Sequence, residues 1–251
     1  MSRITQKGAT GPLALVANGA FQTTTDSSLE TLLGCRWDLS DGREVILVQP
    51  ATGTTVAAGK VYADPAIISN HENLTVTAFT AYSANGNVPP KVTVTLGATA
   101  VTANQYAGGF VVVNDEVGEG QTLRIASHPA ADASASLAIT LEDGPITALT
   151  TASQVSLIPA HGNAVIINPT TQTNVPVGVG LYTIAAGAYG FLTSRGITSV
   201  LGDGTPAAGA ALSPSNAVAG ALEGFVAAQG FAGNAVQTFV DTEYRAAFVQ
   251  F

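Results

Sequence analysis

The side chains of this sequence that could carry out chemistry are three histidines, one cysteine and a few close pairs of acidic residues. His71, His128 and His161 lie far from one another and from Cys35, so no pair has the short spacing of a zinc motif. His71-Glu72 lacks the second histidine of a metalloprotease helix, and His128-Pro129 and His161-Gly162 read as turns. All three histidines are therefore expected at the surface or in turns. Cys35 has no second cysteine to pair with, and a small buried core residue is the expected role.

The acidic pairs are Asp115-Glu116, Glu142-Asp143 and Asp241 with Glu243. Two carboxylates facing each other across a cleft would suit glycoside hydrolysis. Such clefts also carry stacking aromatics, and here Trp37 is the single tryptophan. Solvated turn carboxylates are the better reading, and no EF-hand spacing supports calcium. There is no Gly-x-Ser-x-Gly elbow for acyl transfer. Gly118-Glu119-Gly120 and Gly202-Asp203-Gly204 resemble phosphate loops only superficially. Neither completes the fingerprint, and both are expected to be hairpin turns. These residues assign no catalytic residue, no cofactor and no metal.

The elements that would position such groups are strands. Val45–Val48, Leu74–Phe79, Lys91–Leu96, Phe110–Val113, Leu123–Ile125 and Leu137–Leu141 are β-rich, several with period-two alternation. Val155–Ile158, Ala164–Ile167, Val177–Ile184, Gly190–Thr193, Ala235–Val240 and Ala246–Phe251 continue the pattern. Asp41-Gly42, Asn85-Gly86 and Gly144-Pro145 supply turns between them. Helix signals are limited to Ser27–Leu33, with Asp26 or Ser27 as N-cap, and one turn at Ser215–Gly220. The expected fold class is all-β, in small β-barrel or β-sandwich modules with many short strands. The expected domains are an extended N-terminal arm over 1–40, a first β-rich block over 41–150 and a second, barrel-like block over 151–251. Tyr106–Phe110 echoes Ala188–Phe191 and Thr55–Val61 echoes Pro206–Leu212, a pattern that either a duplication or convergent turns would produce.

Composition limits the partners. Charged residues are 10% of the chain, against roughly 25% in ordinary soluble domains. Such a surface is either polar through Thr, Ser and Asn or is covered in an assembly. The formal net charge is −8 and the nine Lys and Arg are scattered, which argues against direct nucleic-acid contact. No apolar run is long enough for a membrane helix, and the N-terminus is not followed by a signal-like core. Synthesis in a cytoplasm is expected, with no membrane partner.

Two stretches carry a resemblance. One runs from Asn104-Gln105-Tyr106-Ala107-Gly108-Gly109-Phe110 through Gly118-Glu119-Gly120-Gln121-Thr122-Leu123 to His128-Pro129-Ala130. The other runs from Val177-Gly178-Val179-Gly180-Leu181 through Ala188-Tyr189-Gly190-Phe191 to Gly202-Asp203-Gly204-Thr205 and Ala208-Gly209-Ala210-Ala211-Leu212. The first resembles virion-associated proteins of tailed bacteriophages, and the second the small β-barrel of their capsid decoration proteins. The chain departs from the latter in its glycines at 180 and 202. Together the stretches cover roughly 101–213.

The resemblance implies a non-enzymatic virion structural protein that decorates or cements the capsid shell, binding between subunits of the major capsid protein. It implies a homotrimer on the capsid surface, made in the bacterial host cytoplasm. A tail, adaptor or fibre-base protein is the alternative, and a β-barrel or β-sandwich hydrolase of surface glycans the third reading. Phe239, Tyr244, Phe248 and Phe251 are expected in the core or between subunits, the core being favoured.

Overall fold

The computed structural model describes residues 4–6, 16–17, 20–82 and 88–251. The expected turn at Asn85-Gly86, and residues 7–15 of the expected N-terminal arm, lie outside these residues. The described chain is nearly all β, as the period-two alternation requires. Its nineteen strands divide between two compact units, one formed by residues 1–66 with 161–251 and the other by residues 67–160.

In unit 1 the chain begins with β1 (Ile4–Gln6), β2 (Val16–Ala17) and β3 (Ala20–Phe21). A 3-10 helix follows over Ser27–Leu32, capped where the Asp26 carboxylate accepts the Ser28 N–H at 2.9 Å. Then come β4 (Arg36–Leu39), β5 (Glu44–Val48) and β6 (Val61–Ala63). Unit 2 holds β7 (Leu74–Thr80), β8 (Lys91–Thr95), β9 (Phe110–Asp115), β10 (Thr122–Ser127), β11 (Ser136–Leu141) and β12 (Gln154–Ile158). The chain returns to unit 1 with β13 (Ile166–Ile167), β14 (Pro176–Gly180), β15 (Gly190–Leu201), β16 (Ala211–Pro214), β17 (Leu222–Gly224), β18 (Gly233–Ala235) and β19 (Tyr244–Gln250).

Unit 2 is a closed antiparallel barrel in the order β10-β11-β8-β7-β12-β9. Every second residue of its strands points inward. Val92 and Val94 of β8, Leu123 and Ile125 of β10, and Leu137, Ile139 and Leu141 of β11 fill one core. Fully burying each such side chain stabilises by roughly 1.5–3 kcal/mol. Register shifts at Val76/Ala78, Ile125/Ser127 and Gln154/Val155 bend the strands toward closure. At the barrel wall, Gly109 comes so close to β12 that a Cβ there would stand 2.2 Å from the Ile158 carbonyl oxygen.

This partition corrects the expected domains. A boundary at 150 would remove β12, which seals the barrel between β7 and β9. Residues 41–66 belong with the C-terminal portion instead, because β5 pairs with β15 and β6 with β14. Described residues within 1–40 are also no extended arm. Leu29, Trp37 and Leu39 are buried with Val45, Leu47, Tyr189 and Phe191. Of the internal echoes, Tyr106–Phe110 and Ala188–Phe191 fall in different units, but Thr55–Val61 and Pro206–Leu212 both lie in unit 1, so the two do not together relate one unit to the other.

Unit 1 is built on an eleven-stranded sheet whose main path is β1-β4-β5-β15-β19-β18-β16-β17. The long β15 organises it. Its first half pairs with β5 on one side and β14 on the other, and its second half pairs with β19. Tyr62 of β6 is locked in this unit by its hydroxyl, which accepts the Ala57 N–H at 2.7 Å and donates to the Thr55 carbonyl at 3.3 Å. Tyr62→Phe should therefore cost about 1 kcal/mol in denaturant unfolding, the usual net worth of such a bond. No described helix is long and apolar enough to cross a membrane.

Candidate functional site

The structure moves most of the chemically capable residues away from the places expected of them. His71 and His128 are buried in unit 2 rather than exposed in turns. The His71 ring lies edge-on to Tyr106, and its Nδ1 is 2.6 Å from the Tyr106 hydroxyl. Its Nε2 is 3.0 Å from the Thr99 carbonyl, which can only accept, so Nε2 donates and Nδ1 accepts. His128 Nε2 accepts the Tyr106 N–H at 2.9 Å, leaving Nδ1 to donate to the Pro129 carbonyl at 2.9 Å. Burial pushes the Tyr106 hydroxyl up to about 12 and His128 below the usual histidine range. Both ring nitrogens of His71 and of His128 are thus engaged, by the Tyr106 hydroxyl and N–H and by the Thr99 and Pro129 carbonyls.

His161 is part-buried in unit 1 and forms a dyad with Asp64, Nδ1 to Oδ2 at 2.7 Å. The other Asp64 oxygen accepts the Gly162 N–H at 2.8 Å. A carboxylate holding a histidine in this way would suit general-base chemistry at Nε2. Among the described residues, however, no hydroxyl or thiol hydrogen-bonds His161. The dyad instead ties the segment after β6 to the one before β13. Sequence reasoning missed it because its partners are 97 residues apart.

Cys35 is exposed, not buried as expected, and precedes β4, whose Trp37 and Leu39 are the residues turned into the core. The acidic pairs form no facing couple. Asp115 caps its own turn by accepting the Glu116 N–H, and Glu142 pairs with Arg124 at 3.0 Å. Asp241 accepts the Gly204 N–H at 2.9 Å. Gly118-Glu119-Gly120 turns between β9 and β10, an antiparallel pair, as expected of a hairpin. Gly202-Asp203-Gly204 is not a hairpin, since the β15 and β16 it joins do not pair with each other. Among the described residues, no three His, Cys, Asp or Glu side chains gather closely enough to hold a metal ion.

What remains is a surface. Beyond Ser194, β15 alternates strictly, with Thr198 and Val200 turned inward and Arg195, Ile197 and Ser199 outward. β19 runs antiparallel beside it and pairs Phe248 with Ile197, Ala246 with Ser199 and Tyr244 with Leu201. Asn234 of β18 lies across from Phe248 and extends the row. Ile197 is 56% exposed, Tyr244 48% and Phe248 37%, so the face is apolar yet in water. Of the four C-terminal aromatics, only Phe239 is fully in the core.

A groove of about 810 Å³ runs over this face, lined by Ile197, Ser199, Tyr244, Ala246, Arg43 and Arg245 among others. A second hollow of about 340 Å³, lined by Asp41, Gly42, Arg43, Gly196, Ile197 and Phe248, continues it. Gly59 seats the Tyr244 ring, because a Cβ there would stand 2.5 Å from it. Asp41 holds Arg43 at 2.7 Å, which lowers the Asp41 carboxyl below the usual range. Glu243 holds Arg245. Among the described residues Arg195 has no ion-pair partner.

The comparisons with known proteins match no family model, no curated protein and no solved structure. The two stretches that resemble phage virion proteins fall in different units. Residues 104–130 lie in the barrel and residues 177–212 in the large sheet.

Proposed function

We propose that this chain is a non-enzymatic structural protein of a tailed-bacteriophage particle that decorates the capsid shell and cements it by binding between major capsid protein subunits. The observation that carries the reading is the outer face of β15 and β19. A regular sheet face that leaves Ile197, Tyr244 and Phe248 in water is a surface suited to being covered in an assembly. The low charge of the chain points the same way, and the resemblance over 101–213 supplies the shell as the setting. Cementing needs a rigid framework and a contact surface rather than reacting groups. The closed barrel and the eleven-stranded sheet offer such a framework. A homotrimer at threefold positions would match the symmetry of an icosahedral lattice.

The test is the copy number of the protein per purified virion, measured by quantitative mass spectrometry against the major shell protein. A simple ratio of one to one or one to three is the expected result. A few to a few dozen copies per particle would move the protein to the tail, an adaptor or a fibre base. Absence from particles would overturn the reading.

A further inference from the structure

We infer that the groove over β15 and β19 docks an extended, carboxylate-bearing apolar segment of the major shell protein, and that this face is not the contact between copies of the chain. The inference rests on the function proposed above and names the surface that performs it.

The residue types are those that dominate binding energy at protein interfaces. Tyr244, Phe248 and Ile197 supply exposed apolar anchors, Arg43 and Arg245 line the hollows with guanidinium groups, Arg195 stands beside them on the same face of β15, and among the described residues no lysine lines either hollow. Asn234, Gln237 and Gln250 are positioned as a polar rim that would hydrogen-bond a partner backbone.

Charge then selects the partner. Asp41 is occupied by Arg43, Glu243 by Arg245, and Glu44 by Arg36 at 2.9 Å. The carboxylates around the face are thus engaged, while Arg195, although Glu44 lies across from it in the sheet, has no ion pair of its own among the described residues and stands beside the apolar row. In a chain of net charge −8 this is a local cationic spot. Its complement is a carboxylate, best placed next to side chains that fill the groove.

Shape and charge both disfavour a second copy. Two identical faces brought together would present groove to groove, with no ridge to fill either. They would also bring a second unpaired Arg195 to the same patch. A nucleic-acid strand is disfavoured because the flanking arginines are already neutralised.

Binding to shells that lack the protein tests this. Emptied particles from a phage deleted for the gene are incubated with purified wild-type chain, with Arg195→Glu, and with the double variant Ile197→Ala/Phe248→Ala. Lys91→Glu in the barrel serves as the control. Bound protein is read by co-sedimentation, and each free variant by its melting temperature and molar mass. The expected result is at least a tenfold loss of shell affinity for Arg195→Glu and for the double variant. Lys91→Glu should bind as wild type, and all melting temperatures and masses should be unchanged. Wild-type protein that sediments free of shells would overturn the proposed function and the inference together. Variants that bind as tightly as wild type would overturn the docking surface alone. A drop in molar mass for the face variants would make the face a contact between copies and also overturn it.

Discussion

Trp37→Ala should lower the unfolding free energy of unit 1 by about 3–5 kcal/mol, the usual cost of removing a fully buried aromatic. Trp37 is 1% exposed and meets Phe191 edge-to-face at 5.3 Å between ring centroids. Leu29, Leu39, Val45 and Leu47 close around the pair. These residues come from the 3-10 helix and from β4 and β5, and Phe191 from the start of β15. The loss would therefore be felt by the sheet as a whole. The variant also removes the only tryptophan, so the transition is best followed by far-ultraviolet circular dichroism in urea. A change below about 1 kcal/mol would mean that residues 20–40 contribute nothing to the core, as a detachable arm would.

The barrel should lose stability on mild acidification, and His128 is the reason. In the folded state His128 Nε2 accepts the Tyr106 N–H and burial depresses its proton affinity. In the unfolded chain it titrates near its ordinary pKa of about 6.5. Below that pH the unfolded state takes up a proton that the folded state resists. Stability is thus full above about pH 6.5, falls as pH drops from there, and levels off beneath the depressed folded value. Asp26 and Asp41 have carboxyls held below the usual range, so their contributions fade only at more acidic pH. His128→Gln keeps an acceptor near the Nε2 position without the titration. It should flatten the slope between pH 6.5 and 5 in thermal unfolding while leaving neutral-pH stability closer to wild type. His128→Ala orphans the buried Tyr106 N–H and leaves a cavity, at a cost of about 2–4 kcal/mol at neutral pH. A wild-type slope retained by His128→Gln would assign the effect to another group.

Most strands were legible in the sequence. The period-two runs at Leu74–Phe79, Lys91–Leu96 and Leu137–Leu141 fold as β7, β8 and β11 with almost the expected limits. Their alternation reports directly which face is buried. Asp26 as cap of a short helix was legible as well, because capping depends on neighbours in the chain. Short strands such as β6, β17 and β18 were not, since three residues give too little periodicity and are held by their sheet neighbours.

The site was less legible. Tyr244 and Phe248 were visible as aromatics near the C-terminus, yet which of the four would face outward depended on the register of β19 against β15. Histidine burial was misread because the partners of His71 and His128 are brought to them by barrel closure. Thr99 is 28 residues from His71, and Tyr106 is 22 from His128.

The sequence by itself determined the class of structure: alternation and turn residues act over a few positions and specify strands wherever they occur. It also determined the low charge and the excess of carboxylates, which are sums that no fold can alter. Tertiary structure alone decided the inserted-barrel arrangement, in which β6 and β14 pair although the whole of unit 2 separates them in the sequence. It alone gathered Arg43, Arg195, Ile197, Tyr244 and Phe248 on one face. Pairing between strands far apart in the chain is fixed by the burial of whole sheet faces, and that energy belongs to no local segment.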